Sequence, residues 1–349
     1  MKQLICEMCG GSDLVKQNDL YVCQHCGAKY TVEEARKMMV EGTVKIDTTE
    51  QTDKFLENAR RAKQKEDWAE VEKYYNLVEQ NDPSNIEAIF YSAYGKARNT
   101  LHIADYYQKQ AAFDVLTKSV SILDDRFDVK DADGIYDTLL EIEKDIRALF
   151  GCQFVYRTVK DVNGNIKESD QGKTENLFTN VAIEFMTTAY NVANKLTATD
   201  KALAIKISIR VTEFVNDLIN AKRVKAEYGK DLIASIYKDI ARIDSSYQKK
   251  ADEMRMDYLK YKVDTNENTV KSFKTTGIIF AVFAVAGFIL GYATPGIHYN
   301  VWSVFGYIFG GLMALLSVVF FVVWAIKKAD KTSMAEEKAE LEELEAKYK

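Results

Sequence analysis

Proline is nearly absent from this chain of 349 residues, which contains only Pro83 and Pro295. Both prolines fall in short polar segments, and the long stretches with helical apolar spacing contain none. Because proline disrupts the interior of a helix, this distribution permits long helices along most of the chain. The sequence therefore predicts a mainly α-helical protein.

The sequence also lacks the short motifs that carry common enzyme chemistry. It has no phosphate-binding glycine loop, no H-E-x-x-H pair and no nucleophile elbow. Neither His102 nor His298 has an evident nucleophile partner, and Cys152 is most simply a buried thiol. We therefore predict that the protein is not an enzyme. An enzyme built on an unrecognised motif is the open alternative.

A surplus of basic charge is absent as well. The formal net charge is −5, and residues 1–50 contain six Lys or Arg against eight Asp or Glu. Binding to a phosphate backbone needs a basic surface. The composition therefore disfavours nucleic acid as a partner and favours a cytoplasmic protein of unknown identity.

Cysteine is rare, yet four of the five cysteines form two C-x-x-C pairs. Cys6 and Cys9 form the first pair, and Cys23 and Cys26 form the second. Each short turn places two thiolates on one side, so two turns supply the four sulfur ligands of a closed, tetrahedral zinc site. We predict one structural Zn²⁺. Disulfides are the alternative, but Met1–Ile5 is too short to be a secretory signal.

The residues between and after the cysteine pairs predict a zinc ribbon and a short helix. Residues 14–22 fit a hairpin of two short strands, and Thr31 and Glu34 have the spacing of a capping box. With these features, and above all the run 26–39, the segment Cys6–Gly42 resembles the transcription factor IIB-type zinc ribbon found at the start of many uncharacterised bacterial proteins. The resemblance implies a fold rather than a role in transcription.

Residues 53–99 resemble a tetratricopeptide unit, a helical hairpin of about 34 residues. Pro83 takes the place of the proline that ends the repeat, and the usual glycine–tyrosine pair of the first helix is missing. The positions that match by size are Phe55, Ala59, Ala62, Val71, Tyr75 and Ala93. The resemblance implies a helical-repeat surface that binds a partner protein.

Helical spacing continues beyond this unit. It predicts helices over 104–123 and 135–150. The polar segment 161–172 fits either a small hairpin or a mobile loop. Alternating apolar residues over 203–211 are typical of a strand, but the helical flanks and the scarcity of partner strands favour a helix. A charged helix over 231–262 is predicted to follow.

Two uncharged segments near the end of the chain predict a membrane hairpin. Residues 275–293 and 301–326 each reach the about 20 apolar residues that a transmembrane helix needs. The flanking lysines are Lys271, Lys274, Lys327 and Lys328. The positive-inside rule then predicts a multi-pass protein of the cytoplasmic membrane with both termini in the cytoplasm. A buried hydrophobic hairpin in a soluble protein is the alternative.

Glycines at helical spacing mark both spans. These are Gly287, Gly291, Gly306 and Gly310. Small residues four apart let helices approach closely, so we expect contact within the hairpin, with a homodimer through the same glycines as the alternative. Neither span contains an ionisable residue, which favours an anchor over a transport pathway.

The predicted organisation has five segments in chain order. They are a zinc ribbon with a short helix (1–42), a linker (43–52), a tetratricopeptide-like helical region (53–262), a transmembrane hairpin (263–328) and a charged helical tail (329–349). This organisation predicts a membrane-anchored adaptor or scaffold that binds a partner protein. The alternative is a membrane-tethered regulator whose ribbon contacts nucleic acid or the transcription machinery.

Overall fold

The computed structural model describes residues 6–9, 13–17, 20–35, 49–127, 134–292, 301–329 and 331–349. The described chain is mainly α-helical, with a small sheet near the N terminus and two long apolar helices near the C terminus. Three predicted features lie outside the described residues. They are the turn within 14–22, the end of the short helix at Gly42, and the turn between the two apolar helices.

The N-terminal sheet has three antiparallel strands in the order β1–β2–β3. Its strands are β1 (Leu14–Gln17), β2 (Leu20–Cys23) and β3 (Lys29–Thr31). The first two strands confirm the predicted hairpin. The third strand was not predicted, because three residues are too few for a detectable alternation. In the pairing of β2 with β3, Tyr30 lies opposite Tyr21. Strand β3 follows the second cysteine pair in the chain.

The central region is a stack in which most successive helices pack against each other. Its helices are α1 (Thr49–Gln64), α2 (Trp68–Asn81), α3 (Ile86–Thr100), α4 (Tyr106–Ser121), α5 (Ile135–Leu149), α6 (Gln171–Leu196), α7 (Lys201–Asn220) and α8 (Ala226–Ile243). The predicted helices at 104–123 and 135–150 are confirmed, and the preference for helix over 203–211 is confirmed by α7. Because α1 begins at Thr49, the helical region starts inside the predicted linker.

Aspartate and asparagine side chains fix where several of these helices begin. Asp67 accepts a hydrogen bond from the Glu70 amide at the start of α2, and Asn85 does the same for the Ala88 amide at the start of α3. Asp105 and Asp200 cap α4 and α7 in the same way. Such caps satisfy backbone N–H groups that have no partner in the first helical turn.

One apolar core runs from α1 to α8. Ala59 is fully buried at the crossing of α1 and α2, where a larger side chain would separate the helices. On α3, a Cβ added to Gly95 would lie 2.7 Å from the Glu72 backbone nitrogen, so glycine permits the close approach of α2 and α3. Trp68 packs edge-on against Tyr94, with the ring centres 5.4 Å apart, and so belongs to the packing of the stack.

The polar segment between α5 and α6 forms a hairpin rather than an irregular loop. Strands β4 (Thr158–Lys160) and β5 (Ile166–Ser169) pair antiparallel across it. Asp161 accepts hydrogen bonds from the Asn163 and Asn165 amides, at 2.9 and 2.8 Å. Gly164 has a φ of +84°, which glycine adopts without strain.

Three further helices complete the described chain: α9 (Gln248–Tyr292), α10 (Val301–Ala329) and α11 (Lys331–Lys347). The prediction of one helix over 231–262 is wrong at Asp244, where α8 ends. The Asp244 side chain accepts a hydrogen bond from the Ser246 amide, and short polar side chains of this kind favour a cap over a helix interior. We call residues 248–274 of α9 the stalk, because they precede its apolar part.

Candidate functional site

The two cysteine pairs are placed by the N-terminal sheet. Cys23 ends β2, and its amide donates to the Ala28 carbonyl while its carbonyl accepts from the Gly27 amide, both at 2.9 Å. Gly27 has a φ of +76°, which closes the turn around Cys26 without strain. A further hydrogen bond from the Gln24 amide to the Asp13 carbonyl ties this turn to the start of β1.

The structure brings the four predicted cysteines together. Their sulfur atoms all lie within 4.8 Å of one another, and the Cys6–Cys26 and Cys9–Cys23 sulfurs are each 3.6 Å apart. No disulfide joins these four cysteines, since a disulfide would need about 2.05 Å between sulfurs. A tetrahedral ion with sulfur ligands at about 2.3 Å requires sulfurs roughly 3.8 Å apart. The donor set and its spacing therefore fit one tetrahedral metal ion.

Burial divides the four thiols into an inner and an outer set. Cys6 and Cys23 are buried, whereas Cys9 and Cys26 are exposed. All four positions of a tetrahedral ion would be filled by protein sulfur, so the site is closed to water and substrate. The arrangement is that of a structural site near the protein surface.

Tyr30 is a residue of this site that the sequence analysis missed. Its hydroxyl lies 3.1 Å from the Cys6 sulfur, and a phenol donates such a bond to a thiolate. The hydrogen bond lowers the pKa of Cys6 to about 6 and raises the pKa of Tyr30 to about 12. An aromatic residue four positions after the last cysteine was the sequence signal for this contact.

The predicted capping box is confirmed directly after the site. The Thr31 amide donates to the Glu34 carboxylate at 2.8 Å, and the Glu34 amide donates to the Thr31 hydroxyl at 3.3 Å. Residues 32–35 are helical, and Ala35 is fully buried. The reciprocal bonds fix the direction in which the chain leaves β3.

Of the other residues that the sequence analysis considered, His298 lies outside the described residues, and His102 and Cys152 form no catalytic group with described neighbours. His102 is exposed at the end of α3. Cys152 is half-buried, and its thiol donates to the Ala148 carbonyl at 3.2 Å. Burial raises the pKa of the Cys152 thiol, which disfavours the reactive thiolate.

A shallow, open depression of about 390 Å³ lies along the exposed side of α1, and all of its described lining residues belong to that helix. We call it the helix-one groove. Its lining comprises Asp53, Leu56, Glu57, Arg60, Arg61 and Gln64. Both signs of charge are present, and the side chains of Arg60 and Arg61 are each 57% exposed. The groove therefore presents charged groups to solvent along a rigid helix.

A half-buried polar network supports this groove from behind. Arg60 makes a two-pronged hydrogen bond to Glu87 of α3, with a shortest distance of 2.6 Å, and the Tyr75 hydroxyl donates to the same carboxylate at 2.5 Å. Burial opposes ionisation of Glu87, but the bonds from Arg60 and Tyr75 outweigh it and hold the pKa of Glu87 below its usual value. Burial and the bond to Glu87 raise the pKa of Tyr75. The network joins α1, α2 and α3.

The two apolar helices α9 and α10 form a close pair through their glycines. A Cβ added to Gly287 would lie 2.8 Å from the Gly310 Cα atom, and one added to Gly306 would lie 2.6 Å from the Gly291 nitrogen. The expected contact within the hairpin is thus confirmed. The homodimer stays a prediction, and these glycine surfaces are covered by contacts within the chain.

The tail helix α11 returns along the stalk and is held by ion pairs. Arg255 makes a two-pronged bond to Glu340 at 2.7 and 2.8 Å, and Lys347 lies 2.6 Å from Asp252. Further pairs join Lys260 to Glu345, Lys262 to Glu337, and Lys338 to Glu267. Leu341 and Leu344 pack against a small core that contains Tyr258 and Leu259 of the stalk and Ala234 of α8. The stalk and the tail therefore lie at the same end of the α9–α10 pair.

Comparison with known protein families gives one match. A family model described as the Rpp20 subunit of nuclear RNase MRP and P matches residues 38–176. The matched segment begins after the cysteine pairs, ends near the start of α6 and covers less than half of the chain. Searches of curated proteins and of solved structures give no match.

Proposed function

We propose that this protein is a membrane-anchored adaptor that binds a cytoplasmic partner protein through its helical region. The observation that carries the proposal is the helix-one groove, a shallow charged depression of about 390 Å³ along the open side of the first helix of the stack. Stacked helices with an open face commonly bind peptides or protein segments rather than perform chemistry. The tetratricopeptide-like spacing of 53–99 supports the same interpretation.

The chemistry of the groove indicates the kind of partner. The groove carries acidic side chains toward the start of α1 and basic side chains toward its end, and within the described residues Lys54 and Arg61 form exposed pairs with Glu50 and Glu57 on their own helix. Exposed pairs of this type contribute about 0.3–0.5 kcal/mol, so a partner with complementary charges exchanges them at little cost. The partner is therefore a protein segment with charges of both signs.

Zinc is the metal proposed for the cysteine site. Four thiolates in a tetrahedral arrangement are the preferred ligands of structural Zn²⁺. When bound, the ion supplies folding energy to a ribbon whose three short strands bury little apolar surface. The chain's own contribution is to hold the four sulfurs together and to direct the Tyr30 hydroxyl at Cys6.

Membrane insertion is proposed for α9 and α10. Their large apolar side chains face outward, with Val282 63%, Leu290 60% and Leu315 67% exposed. A soluble protein would cover such a surface, whereas lipid tails accept it. The lysines flanking the pair support a cytoplasmic position of the stalk and the tail by the positive-inside rule.

A second candidate function is that of a subunit in an RNA-containing complex. The match of residues 38–176 to the Rpp20 model favours it, since that model describes a subunit of RNase MRP and P. The matched segment contains more acidic than basic residues, and nucleic-acid binding needs a basic surface. The adaptor is therefore the preferred function.

Crosslinked affinity purification of the full chain from membranes tests the proposal. The variant Lys54→Glu/Arg61→Glu reverses two charges beside the groove, and Arg242→Glu/Lys250→Glu reverses two equally exposed charges that are also paired within their own helices. We expect one defined protein partner to be lost with the first variant and retained with the second. Recovery of RNA instead, with binding that falls steeply as salt rises, would support the second candidate.

A further inference from the structure

A basic cavity lies where the stalk, the cytoplasmic end of α10 and the tail helix meet. Its volume is about 350 Å³, within the range of small-ligand sites. Five lysines line it: Lys271 and Lys274 from the stalk, Lys327 and Lys328 from α10, and Lys338 from the tail. Three separate helices thus direct cationic side chains at one space.

The positive charge of this cavity is only partly neutralised. Among the described residues Glu267 is the one acidic residue in its lining, and it lies 2.6 Å from Lys338 and 4.0 Å from Lys271. Within the described part of the chain, no carboxylate pairs with Lys274 or Lys327. Lysines gathered in this way repel one another unless an anion lies among them. The cavity is therefore suited to a negatively charged ligand.

The apolar part of the cavity indicates which kind of anion fits it. Trp324 forms part of the wall, with the Lys328 nitrogen 4.9 Å from its ring centre, and Val270 and Met334 add apolar surface. On the same turn of α10 as Lys327 and Lys328, the apolar side chain of Ile326 is 62% exposed. A free phosphate ion would use the lysines alone. A ligand with a phosphate head and an apolar tail uses both surfaces.

We propose that this cavity binds the headgroup phosphate of an anionic phospholipid of the cytoplasmic leaflet. The inference rests on the proposed membrane location of α9 and α10. Basic pockets between membrane helices on the cytoplasmic side bind such headgroups, and tryptophan is enriched at this depth. Inorganic phosphate shares the same chemistry toward lysine and is the competing source of the anion.

Lipid binding is coupled to docking of the tail. Lys338 and Met334 belong to α11, so the cavity is complete only when the tail lies against the stalk. A ligand that binds the complete cavity stabilises the docked tail by mass action. The anionic lipid would therefore hold the tail along the stalk.

Native mass spectrometry of the full chain in detergent, with equal amounts of phosphatidylglycerol and phosphatidylcholine, tests the inference. We expect selective retention of phosphatidylglycerol. Lys274→Gln/Lys327→Gln should weaken that retention on the order of thirty-fold, at about 1 kcal/mol for each lysine. Lys274→Arg/Lys327→Arg should retain it. The matched control, Lys249→Gln/Lys250→Gln, makes the same change of charge about 35 Å away along the stalk and should leave retention unchanged.

Three results would overturn the inference. The first is equal retention of both lipids by the wild-type chain. The second is equal weakening by the two glutamine variants, which would indicate a general effect of charge. The third is displacement of the lipid by equimolar inorganic phosphate, which would assign the cavity to free phosphate. The detergent experiment reports on the cavity alone, so the membrane location needs a separate test. Release of the protein from membranes by an alkaline wash would contradict the membrane location. Gel filtration and thermal unfolding check that the variants fold.

Discussion

At the scale of single residues, Tyr30 and Glu87 show how one polar contact fixes a local arrangement. Tyr30 reaches from β3 to the Cys6 sulfur, so the third strand of the ribbon supports the cysteine site. Glu87 reaches from α3 to Arg60 and Tyr75, so the carboxylate joins three helices. Both residues lie in segments that resemble known families, yet the resemblances assign neither of these contacts.

The Tyr30→Phe variant tests the contact at the cysteine site. Removing the hydroxyl leaves the four sulfurs in place but takes a hydrogen bond from the Cys6 thiolate. Loss of such a supporting contact commonly weakens metal binding by about 10- to 100-fold. We expect one Zn²⁺ per chain in the variant, with faster transfer to a chromogenic chelator than in the wild type.

Tyr21→Phe is the matched control, because Tyr21 is the cross-strand neighbour of Tyr30 and has no hydrogen bond to a cysteine in the described ribbon. Transfer of zinc at the wild-type rate is expected for it. Equal rates for both phenylalanine variants would remove Tyr30 from the site. Absence of zinc from the wild-type chain would reject the assignment of the metal.

The Glu87→Gln variant tests the network behind the helix-one groove. A hydrogen bond to a charged group contributes about 1.5–3 kcal/mol, so we expect the free energy of unfolding at pH 7 to fall by about 2 kcal/mol. The pKa of Glu87 is depressed in the folded protein, so its stabilising effect is present at neutral pH. This stabilising effect is lost as the pH falls through about 4 and below. The free energies of unfolding of the wild type and the variant should then converge.

Urea unfolding of the full chain in detergent measures this difference, with Trp302 and Trp324 replaced by phenylalanine in both proteins so that the fluorescence comes from Trp68. Trp68 packs against Tyr94 inside the stack and so reports on its unfolding. Glu253→Gln alters an exposed carboxylate paired with Lys250 and should change stability by less than about 0.5 kcal/mol. A stability difference for Glu87→Gln that persists at pH 3 would contradict the electrostatic explanation.

At the scale of elements, the packing of α9 against α10 depends on a close approach of the two helix backbones. Gly287→Ala places a methyl group 2.8 Å from the Gly310 Cα atom, and backbone cannot move aside as a flexible side chain does. We expect the helices to separate and the thermal unfolding temperature of the full chain in detergent to fall. Gly311→Ala is the control, since a Cβ there meets nothing within 4 Å. A change of oligomeric state without loss of stability would instead favour the homodimer.

Local patterns in the sequence predicted most of these elements, and the exceptions have physical causes. The cysteine spacing, the capping box at Thr31 and the α7 helix depend on residues close in the chain. The break at Asp244 was missed because the apolar spacing continues across it while its capping bond involves a single side chain. The contact of Tyr30 with Cys6 and the docking of α11 on the stalk join residues far apart in sequence, which periodicity does not report.

At the scale of the whole molecule, the contact between stalk and tail constrains how the chain crosses a bilayer. Arg255 and Glu340 are separated by the entire α9–α10 pair, yet they form a two-pronged bond. Both must therefore lie on one side of any membrane that the pair spans. If the pair spans a membrane, this contact requires an even number of crossings, and the flanking lysines predict that the stalk and the tail lie on the cytoplasmic side.

Cysteine labelling of intact cells with an impermeant maleimide tests this arrangement in the natural chain. The five natural cysteines lie before the first apolar helix, so the topology predicts that none of them is labelled from outside. Gly296→Cys, between the two apolar helices, should be labelled, whereas Lys349→Cys should be labelled only after the cells are opened. Labelling of Lys349→Cys on intact cells would require the tail and the stalk to lie on opposite sides or both to lie outside. If the tail and the stalk lie on opposite sides, every ion pair between them is broken. If both lie outside, the natural thiols of the unmodified chain are labelled as well. Labelling of the unmodified chain therefore distinguishes the two arrangements.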